Sequence, residues 1–229
     1  AVVKSNAYGH GIYTFSPLAE SGVDPVRSLA RAKGASPKDF GEATSNGVDG
    51  FCVDSVIEGL TLRKKGIKKP ILALGPTLAS LFAKAATSDI SVTISTMEAL
   101  TLVAKVKNRP NLHLKVDTGM HRQGFLLEQF PEVLTFCKKH NLPITGLYSH
   151  LAASKNPADQ NYNKKQLAHF NQIIRLADAA GYKKIIKHLA GTPATLLNQS
   201  YHYDAVRVGN ALYGLYPSPE LFKKFNKTT

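Results

Sequence analysis

The sequence predicts an α/β fold in the form of an eight-stranded parallel β/α (TIM-type) barrel. Three observations predict it. Short strand-like apolar blocks, each followed by a helical pattern, recur about eight times along the chain. Most of these blocks are continuously apolar rather than alternating, as strands buried on both faces are. The 229 residues also come close to the roughly 250 typical of such a barrel. A doubly wound open sheet would alternate in the same way, but no G-x-G-x-x-G follows the first block.

In chain order the blocks are AVVK (1–4), GFCV (50–53), PILALG (70–75), ISVTI (90–94), LHLKVD (112–117), ITGLYSH (144–150), IIKHLA (185–190) and AVRVG (205–209). Helix punctuation fills the intervals. Asp54, Ser55 and Glu58 have capping-box spacing, with Gly66 placed to close that helix. Ser95 and Glu98 repeat the device, and Pro131 suits a first helical turn. Leu167, Phe170, Ile174 and Ala177 keep helical spacing up to Gly181. One interval is irregular: the first connection runs from 5 to 49 and contains the triplet GVD twice, at 22–24 and 47–49. Its segment PVRSLARAKGASPKDFGEATSN has the makings of an extra helix pair within an extended first βα connection, 12–48. We read 1–229 as one domain, with 210–229 the start of a linker.

Composition excludes some classes of function. The chain is 43% hydrophobic and 20% charged, and no tract is apolar and long enough to cross a bilayer. The formal charge of +13 suggests nucleic acid first. Against that, the lysines fall in pairs expected at helix ends (Lys64-Lys65, Lys68-Lys69, Lys138-Lys139, Lys183-Lys184), with no interleaved aromatics. Cys52 and Cys137 fit no metal or redox spacing and suit a reducing compartment, so neither nucleic acid, membrane nor metal is expected as a partner. The chain opens in mid-strand pattern with Ala1 rather than Met, so an N-terminal piece is expected before it.

Catalytic groups of a β/α barrel collect at the carboxyl ends of the strands. Lys4 ends the first block, Asp117 and Arg122 follow the fifth, and His150 ends the sixth. Gly191-Thr192 follows the seventh, and Arg207-Val208-Gly209-Asn210 closes the eighth. Each has an ordinary alternative: Lys4 solvated, His150 a core histidine, Arg122 paired with Asp117, Thr192 a helix cap. Their joint placement points instead to a site. A lysine for an aldehyde, with hydroxyl and small residues for an anion, suggests pyridoxal 5'-phosphate as the cofactor.

Four stretches, in order, carry a family resemblance: AVVKSNAYGHG, LKVDTGMHRQGF, GLYSHLAAS and RVGNALYGLYPSP. Together they resemble alanine racemase over nearly the whole chain. The resemblance implies that Lys4 holds pyridoxal phosphate as a Schiff base and is one of two catalytic bases. It implies that Tyr8, Thr192, Gly209 and Asn210 hold the phosphate and that Leu74 packs on the ring. Arg207 would face the pyridine nitrogen with His150 in its network, and Arg122 would contact the phenolic oxygen and the substrate carboxylate. Lys115 matches a position that many relatives carry carbamylated. The second base of the family is a tyrosine from a C-terminal β-domain of a partner subunit, so a homodimer is implied. That domain is expected to be absent from this chain.

Two departures from the family pattern stand out. His121 occupies a position usually held by Gly, and Gly191-Thr192-Pro193 replaces Asn-Ser-Ala. The expectation is a cytoplasmic isomerase that interconverts L- and D-alanine for peptidoglycan. A non-catalytic pyridoxal-phosphate carrier and a racemase of broader specificity are the alternatives.

Overall fold

The computed structural model describes residues 1–8, 48–158 and 160–225. The duplicated GVD triplet and the proposed helix pair therefore lie almost wholly outside the described residues. Seven parallel strands form one sheet in sequential order: β1 (Phe51–Val53), β2 (Ile71–Ala73), β3 (Ile90–Ile94), β4 (Leu112–Lys115), β5 (Ile144–Tyr148), β6 (Ile186–Gly191) and β7 (Ala205–Arg207). The eighth expected strand, 1–4, is not a strand but an isolated parallel bridge, Val2 with Cys52. It nevertheless fills the eighth place. Val3 N–H donates to Cys52 O at 2.9 Å, and Val2 N–H donates to Val208 O at 2.8 Å. The N-terminal segment thus joins the two sheet edges and nearly closes the barrel. It cannot run on as a strand because Ser5, Ala7 and Tyr8 take φ of +55°, +55° and +54°, which turns the chain into a tight helical turn, α1 (Lys4–Tyr8).

Around the sheet lie α2 (Val56–Lys64), α3 (Phe82–Thr87), α4 (Met97–Ala104), α5 (Phe130–Lys139), α6 (Asn161–Ala179), α7 (Thr192–Leu197) and α8 (Pro219–Phe225). α2 begins as the sequence requires: Ser55 Oγ accepts from Glu58 N–H, and Glu58 Oε2 accepts from Asp54 N–H at 2.7 Å. Gly66, with φ of +85°, follows its last turn. For α4 the cap lies one residue later than expected. Thr96, not Ser95, accepts from Ala99 N–H, because its hydroxyl is the one in reach of the third helical N–H. On α6 the buried face is Phe170, Ile173 and Ala177 together with Asn163 and Gln166, while Leu167 and Ile174 are only partly covered. Lys64-Lys65 and Lys138-Lys139 do end helices. Lys68-Lys69 and Lys183-Lys184 instead lie in the loops before β2 and β6.

The strands are apolar on both sides because helices cover the outside and side chains fill the inside. Val92, Ile94, Leu112, Leu114, Leu147 and Leu189 are buried in one continuous core with Phe82, Phe130 and Phe170. Cys137 is buried there as a free thiol whose pKa burial pushes up to about 12, an inert group. No helix among the described residues is long and apolar enough to cross a membrane.

Candidate active site

Inside the barrel one layer is polar. β3 through β7 contribute Thr93, His113, Tyr148, His188 and Arg207, all buried. Thr93 and Tyr148 share a hydrogen bond of 2.9 Å between hydroxyls. Tyr148 stacks on the His188 ring at 4.7 Å and 9°, and the Arg207 guanidinium lies 4.9 Å from the Tyr148 ring centre. His113 Nδ1 and His188 Nε2 are 2.9 Å apart.

Arg207 is the hub. Its Nη1 meets His188 Nδ1 at 2.6 Å and donates to His188 O at 3.1 Å. Its Nη2 donates to Ser149 O at 2.6 Å and Leu189 O at 3.1 Å, and meets His150 Nδ1 at 3.2 Å. Carbonyls and neutral imidazoles surround this cation, with no carboxylate among them. Its Nε–H has no partner among the described residues, so one donor of the fork remains for a ligand.

The other predicted residues gather around this hub. Lys4 opens α1 with its side chain 38% exposed and Nζ 3.9 Å from Asp54 Oδ1, a loose pair in reach of water. His150 feels burial first, then the charges of Arg207, Lys115, Arg122 and Lys4, and its pKa falls to about 3. Lys4, Arg122 and Arg207 are thus all close enough to His150 for their charges to act on it. Lys115 is buried, 5.7 Å from the Tyr148 ring, and burial followed by the Arg122 and Arg207 charges lowers its pKa to about 8.

Asp117 organises the loop that carries Arg122. Its Oδ1 accepts the N–H groups of Gly119, Met120 and His121, and its Oδ2 accepts that of Arg122 at 3.0 Å. Burial opposes ionisation, yet these four donors outweigh it and lower the carboxyl pKa. Asp117 therefore holds Arg122, an exposed residue, through the backbone. Gln166 of α6 ties this loop to the next: its amide accepts from Ala152 N–H and donates to Thr118 Oγ1 and His150 O.

A second group forms where β6 and β7 end. Thr192 is not the cap of α7, a place taken by Gly191. Its hydroxyl instead accepts from Gly209 N–H at 3.0 Å. Above Gly209 sits Tyr8, whose Oη would lie 3.1 Å from a Cβ added there. Tyr8 also packs edge-on against Tyr213 at 5.2 Å. Asn210 follows directly, opening a 3-10 turn, Asn210–Tyr213. Leu74 is half-buried at the end of β2, its N–H bonded to Val53 O.

Every predicted site residue thus lies at the carboxyl end of the barrel or on a loop leaving it. Sequence reasoning missed His113, His188, Tyr148, Thr93 and Gln166. The available signal was polar residues inside otherwise apolar strands: in LHLK, His113 and Lys115 share one face at period two, and His188 interrupts IIKHLA.

Comparison with known proteins places this arrangement. Residues 30–217 match the family described as alanine racemase, N-terminal domain. The alanine racemase of Ligilactobacillus salivarius is 36% identical over 96% of this chain and 54% of its own length. That of Leptospira interrogans is 30% identical over all of this chain and 53% of its own. Among solved structures, alanine racemase from Bacillus anthracis with bound L-Ala-P superposes with a TM-score of 0.80 at 29% identity. It covers 98% of this chain and 53% of that one. The Corynebacterium glutamicum enzyme gives 0.78 at 25% identity, over 96% and 57%. The chain thus spans about half the length of the relatives it matches. It belongs to the alanine racemase N-terminal domain family.

Proposed function

We propose that this chain is the cofactor-binding barrel of a pyridoxal-phosphate-dependent alanine racemase. The carrying observation is the cation cluster with an open donor: Lys4, Arg122 and Arg207 act together on His150, and Arg207 keeps its Nε–H free of the described residues. Such a surplus of positive charge favours a dianionic phosphate and a substrate carboxylate over a neutral ligand.

The residues present fit pyridoxal phosphate. Lys4 offers an amine to its carbonyl. Thr192, Gly209, Asn210 and Tyr8 would hold the phosphate, since the Thr192 oxygen accepts from Gly209 and so keeps its own O–H for donation. Any side chain on Gly209 would press on Tyr8 and Val2. Leu74 would pack on the ring. When bound, the cofactor supplies an aldehyde for the substrate amine and a ring that acidifies the α-hydrogen.

The chain's own groups then have distinct tasks. Arg207, which only donates and is not deprotonated in proteins, would face the pyridine nitrogen and leave it unprotonated. Arg122 would orient the substrate carboxylate from the Asp117-ordered loop. His150 stays neutral and braces Arg207. Lys4 would take or return the α-proton on one face of the substrate. The group on the opposite face is assigned by the resemblance to a tyrosine of a partner subunit's C-terminal domain. A cytoplasmic homodimer supplying D-alanine for peptidoglycan, and a carbamylated Lys115, belong to the same proposal.

The test uses the full-length protein with added pyridoxal phosphate. L-alanine should be converted to an equal mixture of enantiomers, read by chiral chromatography. Lys4→Ala should abolish both turnover and the visible absorbance of the bound cofactor. Retention of that absorbance in Lys4→Ala would remove Lys4 from its role. Cofactor binding without racemisation would favour a carrier.

A further inference from the structure

We propose that His113 is a positioning residue for Arg207: by accepting a hydrogen bond at Nδ1 it fixes the tautomer of His188, and that tautomer keeps an acceptor turned toward the guanidinium. The argument starts from a one-way donor. A guanidinium has no acceptor, so the 2.6 Å contact between Arg207 Nη1 and His188 Nδ1 requires an unprotonated Nδ1. The proton of the neutral His188 ring then sits on Nε2, facing His113 Nδ1 at 2.9 Å. His113 must accept there and carry its own proton on Nε2. The opposite polarity would set two hydrogens against each other at the Arg207 end.

Both rings are neutral, as this relay needs. Burial, then the Arg207 charge, lowers the His113 pKa to about 4, and the same causes hold His188 well below 6.5. The plane of His188 is already held by stacking on Tyr148, itself tied to Thr93. What His113 adds is the position of a proton.

The structure also makes room for His113. In the β4–β5 register it pairs with Gly146. A Cβ on Gly146 would lie 2.2 Å from His113 Nδ1 and 2.3 Å from Cε1, far inside contact distance. Gly146 has no left-handed φ, so its requirement is steric: the glycine is the seat of the imidazole. The inference rests on the cofactor reading only for its consequence, the aim of the Arg207 Nε–H.

The test is two-bond 15N–1H correlation of labelled histidines in the full-length protein, without and with pyridoxal phosphate. Both His113 and His188 are expected in the Nε2–H form, and an Nδ1–H form of His188 in the parent would overturn the proposal. His113→Leu should release the single tautomer of His188 and weaken pyridoxal phosphate about tenfold, the equivalent of one ordinary buried hydrogen bond. His113→Asn, whose Oδ1 replaces Nδ1 as acceptor, should recover most of that loss. Gly146→Ala should reproduce His113→Leu, and the two combined should be no worse than either alone. Equal weakening by His113→Asn and His113→Leu, with the His188 tautomer unchanged, would mean packing only and would end the proposal. The tautomers are read without cofactor, so they decide this inference even if the parent bound no pyridoxal phosphate, a result that would count against the proposed function instead.

Discussion

The backbone N–H of Gly209 donates to the Thr192 hydroxyl at 3.0 Å, tying the loop after β7 to the first turn of α7. In the proposed function these are the two loops that the cofactor phosphate would bridge. A serine, which the resemblance puts at this position, would offer the same hydroxyl to Gly209 N–H.

Thr192→Val should therefore weaken pyridoxal phosphate by one to two orders of magnitude, since it strands the Gly209 N–H and removes a donor, about 1.5–3 kcal/mol together. Thr192→Ser should restore binding. Equilibrium fluorescence titration measures both, and equal affinity of Thr192→Val and parent would take the phosphate away from this loop.

His121 stands at φ of +54° within the Asp117-ordered turn. A non-glycine residue there costs about 1–2 kcal/mol, partly offset in glycine by backbone entropy. His121→Gly is expected to stabilise the protein by roughly 0.5–1 kcal/mol in urea unfolding. A loss of stability would show that the imidazole makes a favourable contact worth more than the strain.

Asp117→Ala removes the acceptor of four backbone N–H groups in one exposed-to-half-buried loop. Unfolding should become easier by about 2 kcal/mol, given partial replacement by water. KM for alanine should rise more than kcat falls, because Arg122 loses its support. A fall confined to kcat would contradict the proposed substrate-binding role of Arg122.

Acid should destabilise the fold through its interior histidines. Unfolded, each binds a proton near pH 6.5. Folded, His113 does so only near 4 and His150 near 3, with His188 also well below 6.5. Between pH 6.5 and 4 the unfolded chain holds more protons, so stability falls as pH is lowered. The slope is up to about 1.4 kcal/mol per pH unit for each histidine. An unmodified Lys115 has the same sign in a higher window, with stability rising from pH 8 to 10.5, and carbamylation would remove that rise. Urea midpoints across pH 4–7 should show the acid slope, and His113→Asn should reduce it by one histidine's share. A flat profile would mean that these rings are protonated in the native state.

The parallel strands were legible because burial on both faces leaves long apolar runs such as ISVTI, and the helix starts because capping needs a hydroxyl at a fixed offset. The cap of α4 was misplaced by one residue because Ser95 and Thr96 both carry hydroxyls, and only backbone geometry selects Thr96. The eighth strand was overextended because AVVK reads as strand, while the left-handed turn at Ser5 has no signature in residues that are not glycine.

By itself, the sequence determined the alternation of strand and helix, the order of the loops and hence which end of the barrel collects Lys4, Arg122, His150, Thr192 and Arg207. These follow from local periodicity and from the rule that parallel strands present their carboxyl ends together. Only the tertiary structure decided the polar interior, in which His113, His188, Tyr148 and Thr93 brace one guanidinium. Those residues are 19 to 114 positions apart from Arg207 or one another in the chain, and hydrogen-bond direction exists only once the barrel brings donor and acceptor within 3 Å of each other.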